Sequence, residues 1–204
     1  MSNIMSHLGF YKHDKMPHFD RADQIQFLTF VMADAVPSRL LQQSRKIPVS
    51  GDKVFLEMDE RLDGGKGSCI LAEPHLAELL RYSMLSEAGR THLPIAWVIM
   101  PNHVHLITKQ VEGFRLGTVV RQIKAGSALL INRATGRDGQ FWQHGYFDRA
   151  IRDMPHLAAT IDYVHYNPVK AQLCAREADW QYSSIQDYDE GKVMKIVEGG
   201  VLPG

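Results

Sequence analysis

Apolar positions along this chain alternate between short runs with strand character and longer stretches repeating at helical spacing. Gln24 to Met32 (QIQFLTFVM) is dense in aromatic and β-branched residues and predicts a strand. The polar stretch Pro37 to Asp52 reads as a loop or short helix, Lys53 to Asp59 as a strand fragment, and Leu62 to Gly67 (LDGGKG) as a turn. From Glu73 to Glu87, Leu76, Leu79, Leu80 and Met84 recur at 3,4 spacing, with Pro74 in the first turn, which predicts an amphipathic helix. Past Gly89, Ile95 to Met100 and His103 to Thr108 read as a pair of strands. Phe114 to Arg133 is the longest helical pattern, closed near Gly136. A loop then leads into Tyr146 to Ile151, and a further helix is expected from about Pro155 to Asn167. Strands interleaved irregularly with two or three helices define an α+β class: an antiparallel sheet with helices packed on one face. No βαβ alternation with a glycine-rich phosphate loop is present, which argues against a nucleotide-binding fold.

Composition adds bounds. The 204 residues fit one domain, expected to span 1–204 with flexible ends over 1–20 and 190–204. Hydrophobic residues at 45% and charged residues at 23% are those of a soluble globular protein able to bury a core without disulfides. Cys69 and Cys174 form no CxxC pair, which points to a reducing compartment and away from a zinc ribbon. With no apolar run of membrane-spanning length and no signal-peptide core, a cytoplasmic protein without membrane contact is expected. The formal net charge is zero, but Lys109 to Arg176 holds ten Lys/Arg against five Asp/Glu, and the remainder thirteen against eighteen. That asymmetry permits a positive face for phosphates.

The segment Trp97 to Lys109 (WVIMPNHVHLITK) carries the first chemistry. On a strand His103 and His105 share one face, a rigid two-imidazole platform for a metal ion. The plainer account is an HxH pair on a solvent-facing strand side. Pro101 and Asn102 before it imply a bulge or strand entry. In Pro155 to Lys170 (PHLAATIDYVHYNPVK), Leu157, Ile161 and Val164 would face the core, while Tyr163 and Asn167 lie one turn apart on one face. Pro168 should stop the helix and leave Asn167 at its end, its amide free to meet a ligand. Taken singly, Tyr163 is an aromatic at the core edge and Asn167 a C-terminal cap. Arg121, Lys124, Arg149, Arg152 and Lys170 are interleaved with Phe141, Trp142, Tyr146 and Phe147, a mixture suited to single-stranded DNA. The alternative is that Phe141 and Trp142 pack the core and the charges are merely solvated.

WVIMPNHVHLI, followed by FWQHGYFDRAIRD and YVHYNPVKAQL, resembles the REP-associated tyrosine transposases, within the transposase_17 group of single-tyrosine HUH enzymes. The match runs from about Gln24 to Tyr188. It implies a ferredoxin-like domain with His103 and His105 as the HUH histidines on the central sheet, Tyr163 as nucleophile and Asn167 as third metal ligand. Tyr166 is the second choice of nucleophile. A His, His, Asn donor set leaves positions open for phosphate oxygens, as Mg²⁺ or Mn²⁺ chemistry needs. The resemblance implies nicking and rejoining of single-stranded or hairpin DNA through a 5′-phosphotyrosine, by a monomer or homodimer. Arg121, Lys124, Trp142, Arg149, Arg152 and Lys170 are the expected DNA-binding residues. Two rivals remain at this level: a metal-dependent hydrolase with a water nucleophile, which needs a third histidine or a carboxylate, and a non-catalytic hairpin-binding module.

Overall fold

Along β3 (Ile25–Val31) both side-chain faces are buried, Phe27 and Val31 on one side of the alternation and Leu28 and Phe30 on the other. A strand apolar on both faces belongs in the middle of a layered structure. The computed structural model, which describes residues 9–13, 16–21, 24–35 and 62–199, places it there. Its sheet has the order β4-β5-β3-β6, where β4 is His92–Ile99, β5 is His103–Gln110 and β6 is Phe147–Ala150. Every neighbouring pair is antiparallel. Helix α1 (Pro74–Leu85) lies between β3 and β4 in sequence, and α2 (Leu116–Thr135) between β5 and β6. This βαββαβ order with its first and third strands central is the ferredoxin-like arrangement. Two earlier strands, β1 (Gly9–His13) and β2 (Met16–Asp20), pair with each other in a separate hairpin.

The expected α+β class and antiparallel sheet are borne out. Helices α1 and α2 share one face, where Leu76, Leu80, Val119 and Ile123 meet Leu28, Phe30, Val104 and Leu106. The structure adds a second layer. On the opposite face Phe27, Ile95 and Ile107 meet Leu157, Ile161 and Val164 of α3 (Met154–Lys170) and Val193 and Ile196 of α4 (Glu190–Val197). The physical reason is that the alternate strand positions are apolar too, so neither face can be left to water.

Two expectations about helix ends need correction. Pro168 does not stop α3, which continues to Lys170 with the proline inside its last turn. A proline there forfeits one backbone bond, and the end is closed beyond it by Ala171 N–H donating to Asn167 O at 3.0 Å and Leu173 N–H to Pro168 O at 2.9 Å. Nor is the tail from 190 onward all loose: Val193 and Ile196 are buried, and the Asp189 side chain caps α4 by accepting from Lys192 N–H at 3.1 Å. The predicted loop at Pro37 to Asp52 and strand fragment at Lys53 to Asp59 lie outside the described residues. Beyond β4, the chain from Trp180 to Ser184 covers the sheet edge: Ile99 N–H donates to Tyr182 O at 2.9 Å, and Trp97 N–H to Ser184 Oγ at 2.8 Å. Among the described residues no helix is long and apolar enough to cross a membrane.

Candidate active site

The histidines do not face solvent. His103 pairs with Val31, and His105 lies between Thr29 and Val98, so alternation turns both toward the α3 layer; each is 0% exposed. Their rings sit 4.7 Å apart and their Nε2 atoms converge to 3.2 Å. Two ligand nitrogens at adjacent octahedral positions, each about 2.1 Å from a metal, stand about 3 Å apart. The donor geometry therefore fits a shared cation.

The outer ring atoms explain why the pair is held so. Asn102 Nδ2 donates to Leu62 O at 3.1 Å and Lys66 O at 3.0 Å. Carbonyls only accept, so this fixes the amide and aims Asn102 Oδ1 at His103 Nδ1, 2.7 Å away. The His103 Nδ1–H must donate there, which leaves Nε2 as a lone pair in the neutral ring. His105 Nδ1 meets Thr29 Oγ1 at 2.8 Å. Such partners orient metal-binding imidazoles and set their tautomers. Asn102 was read from sequence only as a strand entry. Thr29 was missed, because nothing local marks a threonine whose partner lies 76 residues away.

Above the pair lies α3. The Tyr163 ring stands 5.7 Å from that of His105 at 61°, and 6.0 Å from Phe27, edge to face. Phe27 itself stacks on His105 at 5.3 Å. Tyr166, 51% exposed, points to solvent instead. Asn167, one turn past Tyr163, is 0% exposed and lies within the helix rather than at a frayed end as expected. Among the described residues no group of three His, Cys, Asp or Glu gathers.

The expected DNA-binding residues separate. Arg149 pairs with Phe27, so it shares the histidine face, whereas Asp148 pairs with Leu28 and faces the α1–α2 layer. Asp148 and Arg149 thus point to opposite sides of the sheet. Lys170 is at the site, its Nζ 5.7 Å from the centre of the Tyr163 ring and 3.3 Å from Asp63 Oδ2. Arg152 is exposed just before α3, and Arg121 is exposed on α2, in the layer opposite the histidines.

Lys124 and Trp142 are corrections. Lys124 Nζ donates to Gln143 O at 2.6 Å and Gly145 O at 2.5 Å, and burial lowers its pKa to about 8, so it ties a loop rather than tracking phosphates. Trp142 is 4% exposed, packed edge-on to Phe30 and Phe141, with Nε1–H donating to Ser127 Oγ at 2.9 Å. It is core, with no face open to a base.

A family model described as "Transposase IS200 like" matches residues 79–167, a stretch holding both histidines, Tyr163 and Asn167. More particularly, the resemblance to REP-associated tyrosine transposases is borne out. The chain is 32% identical over 101 residues to a Haemophilus influenzae protein named as one, and 31% identical over 110 residues to that of Escherichia coli K12. These matches cover 45% and 53% of this chain, and 57% and 64% of the relatives. The chain thus spans under two thirds of those relatives. In fold it is similar to a REP-associated tyrosine transposase solved bound to a REP hairpin, with a TM-score of 0.56 and 19% identity, over 95% of this chain and 88% of that one.

Proposed function

We propose that this protein is a metal-dependent single-strand DNA endonuclease and transposase that nicks and rejoins hairpin-forming repeat DNA through Tyr163. The observation that carries the reading is the Tyr163 ring standing over His105, whose Nε2 converges with that of His103. The Tyr163 hydroxyl gives up its proton as its oxygen attacks phosphorus, the bond to the 3′ oxygen breaks, and that oxygen takes up a proton and leaves as a 3′-hydroxyl. A 5′-phosphotyrosine results. In the reverse sense a 3′-hydroxyl attacks the phosphotyrosine and releases the phenol. A phenol is a weak nucleophile at neutral pH, so it needs assistance from its surroundings. A divalent cation, Mg²⁺ or Mn²⁺, held by His103 Nε2, His105 Nε2 and Asn167, would polarise the phosphoryl group and offset its developing charge. Phe27 and His105 fix the tyrosine ring, so the nucleophile is presented in few orientations. Support for the DNA partner comes from the similar protein solved with a REP hairpin and from Arg149 on the histidine face.

The test is a labelled single-stranded hairpin incubated with protein and Mn²⁺, resolved under denaturing conditions. Wild type should carry label covalently, on the peptide containing Tyr163. Tyr163→Phe keeps the ring and its packing, so it should bind DNA yet form no adduct, while Tyr166→Phe still forms one. Cleavage by Tyr163→Phe at the wild-type rate would make water or another side chain the nucleophile.

A further inference from the structure

The turn after Leu62 is tied to three parts of the site at once. Its carbonyls at Leu62 and Lys66 hold the Asn102 amide that orients His103. Its far end is pressed on the chain leaving β3: a Cβ on Gly67 would stand 2.8 Å from Asp34 O, and Ser68 N–H donates to Asp34 Oδ2 at 3.0 Å. Between these anchors Asp63, its side chain only 10% exposed, lies 3.3 Å from Lys170 Nζ, and that ammonium stands over the Tyr163 ring. One short turn therefore touches the histidine strand through Asn102 and the tyrosine helix through Lys170.

We propose that the Asp63–Lys170 ion pair is a latch setting the spacing between Tyr163 and the histidine pair, and that Asp63 is a positioning residue of the cleavage reaction. The inference rests on the reading of Tyr163 as nucleophile. A carboxylate this buried is costly to keep charged without a cation nearby, so losing Lys170 would be expected to displace the turn that carries Asp63. Lys170 sits at the last residue of α3, where a shift would carry the helix end and its tyrosine away from His105. A displacement of about 1 Å at a reacting atom is enough to cost about a hundredfold in rate. Asp63 acts through Lys170 rather than on DNA, because its exposure is too small to meet a phosphate and its charge has the wrong sign.

The test is a double-mutant cycle on the full chain with Asp63→Asn, Lys170→Met and both together. Single-turnover adduct formation with hairpin DNA and Mn²⁺ is measured beside the affinity of each variant for an uncleavable hairpin. Asp63→Asn should slow the adduct step about tenfold or more with affinity altered less than about threefold. Lys170→Met should slow it at least as much, and the double variant should be no slower than the slower single. Additive losses, or losses confined to affinity, overturn the latch. Lys170→Arg should restore most of the rate, since it keeps the charge. Should wild type itself form no adduct, the functional reading falls separately, and hydrogen exchange of Leu62 to Lys66 decides the latch. Faster exchange in Lys170→Met supports it; unchanged exchange overturns it.

Discussion

Asn102 shows how much one uncharged side chain can decide. Its two Nδ2 bonds to Leu62 O and Lys66 O leave only Oδ1 for His103, and so choose which imidazole nitrogen keeps a lone pair. Asn102→Ala should weaken Mn²⁺ binding about ten- to a hundredfold by titration calorimetry, since outer partners of metal-binding histidines carry effects of that size. Asn102→Asp should not rescue it, because a carboxylate cannot donate to the two carbonyls. Unchanged affinity in Asn102→Ala would mean that β5 alone sets the ring orientation. That His103 and His105 share one face, and Tyr163 and Asn167 another, was legible in the sequence because spacings of two on a strand and four on a helix convert directly into shared faces. The roles given to them came from the family resemblance. Thr29, Phe27 and Asp63 were not, because each meets its partner across the fold and no local pattern records the encounter.

Elements were legible where apolar spacing is long and caps are explicit. Helix α2 closes at Gly136, whose φ of 64° suits a residue without a side chain, and α1 opens on Pro74. The misread ends were set by tertiary packing: α3 runs past Pro168 because Asn167 and Pro168 are both buried, and α4 forms because Val193 and Ile196 find a core. The cap of α3 is a testable piece of this. Asp153 Oδ1 accepts from His156 N–H at 2.8 Å, so Asp153→Ala should cost about 1 kcal/mol in urea unfolding. Strand β4 gives a pH prediction. His92, its first residue, is 0% exposed with Nδ1 3.0 Å from Thr91 Oγ1, and burial lowers its pKa to about 4. A depressed folded pKa means the unfolded chain binds the extra proton first, so stability holds above about 6.5 and falls as pH drops toward 4. Urea midpoints across that window should slope for wild type and flatten for His92→Gln; equal slopes would remove His92 as the cause.

At the scale of the whole molecule, the proposed function requires that part of the positive charge lie within reach of DNA. The basic middle of the chain is divided by the sheet: Arg149 lies on the histidine face, Arg152 is exposed at the start of α3, and Arg121 is exposed on the opposite layer. Lys124 is spent on the carbonyls of Gln143 and Gly145. Affinity for a hairpin should fall with salt as phosphates exchange counterions for these side chains, with a slope counting the contacts made. Arg149→Ala should therefore lower affinity and flatten the slope of log K against log salt by about one, the signature of one lost phosphate contact. Lys124→Met should leave the slope unchanged and lower the urea midpoint instead, because it removes a buried ammonium that donates to two loop carbonyls rather than a charge from a surface. Arg121→Ala separates two geometries. An unchanged slope confines the DNA to the layer of α3, whereas a slope flattened by about one means the hairpin reaches around the sheet to α2. If Lys124→Met flattened the slope as Arg149→Ala does, the 143–145 loop would have to release its ammonium on binding DNA, and the structural role given to Lys124 would be wrong.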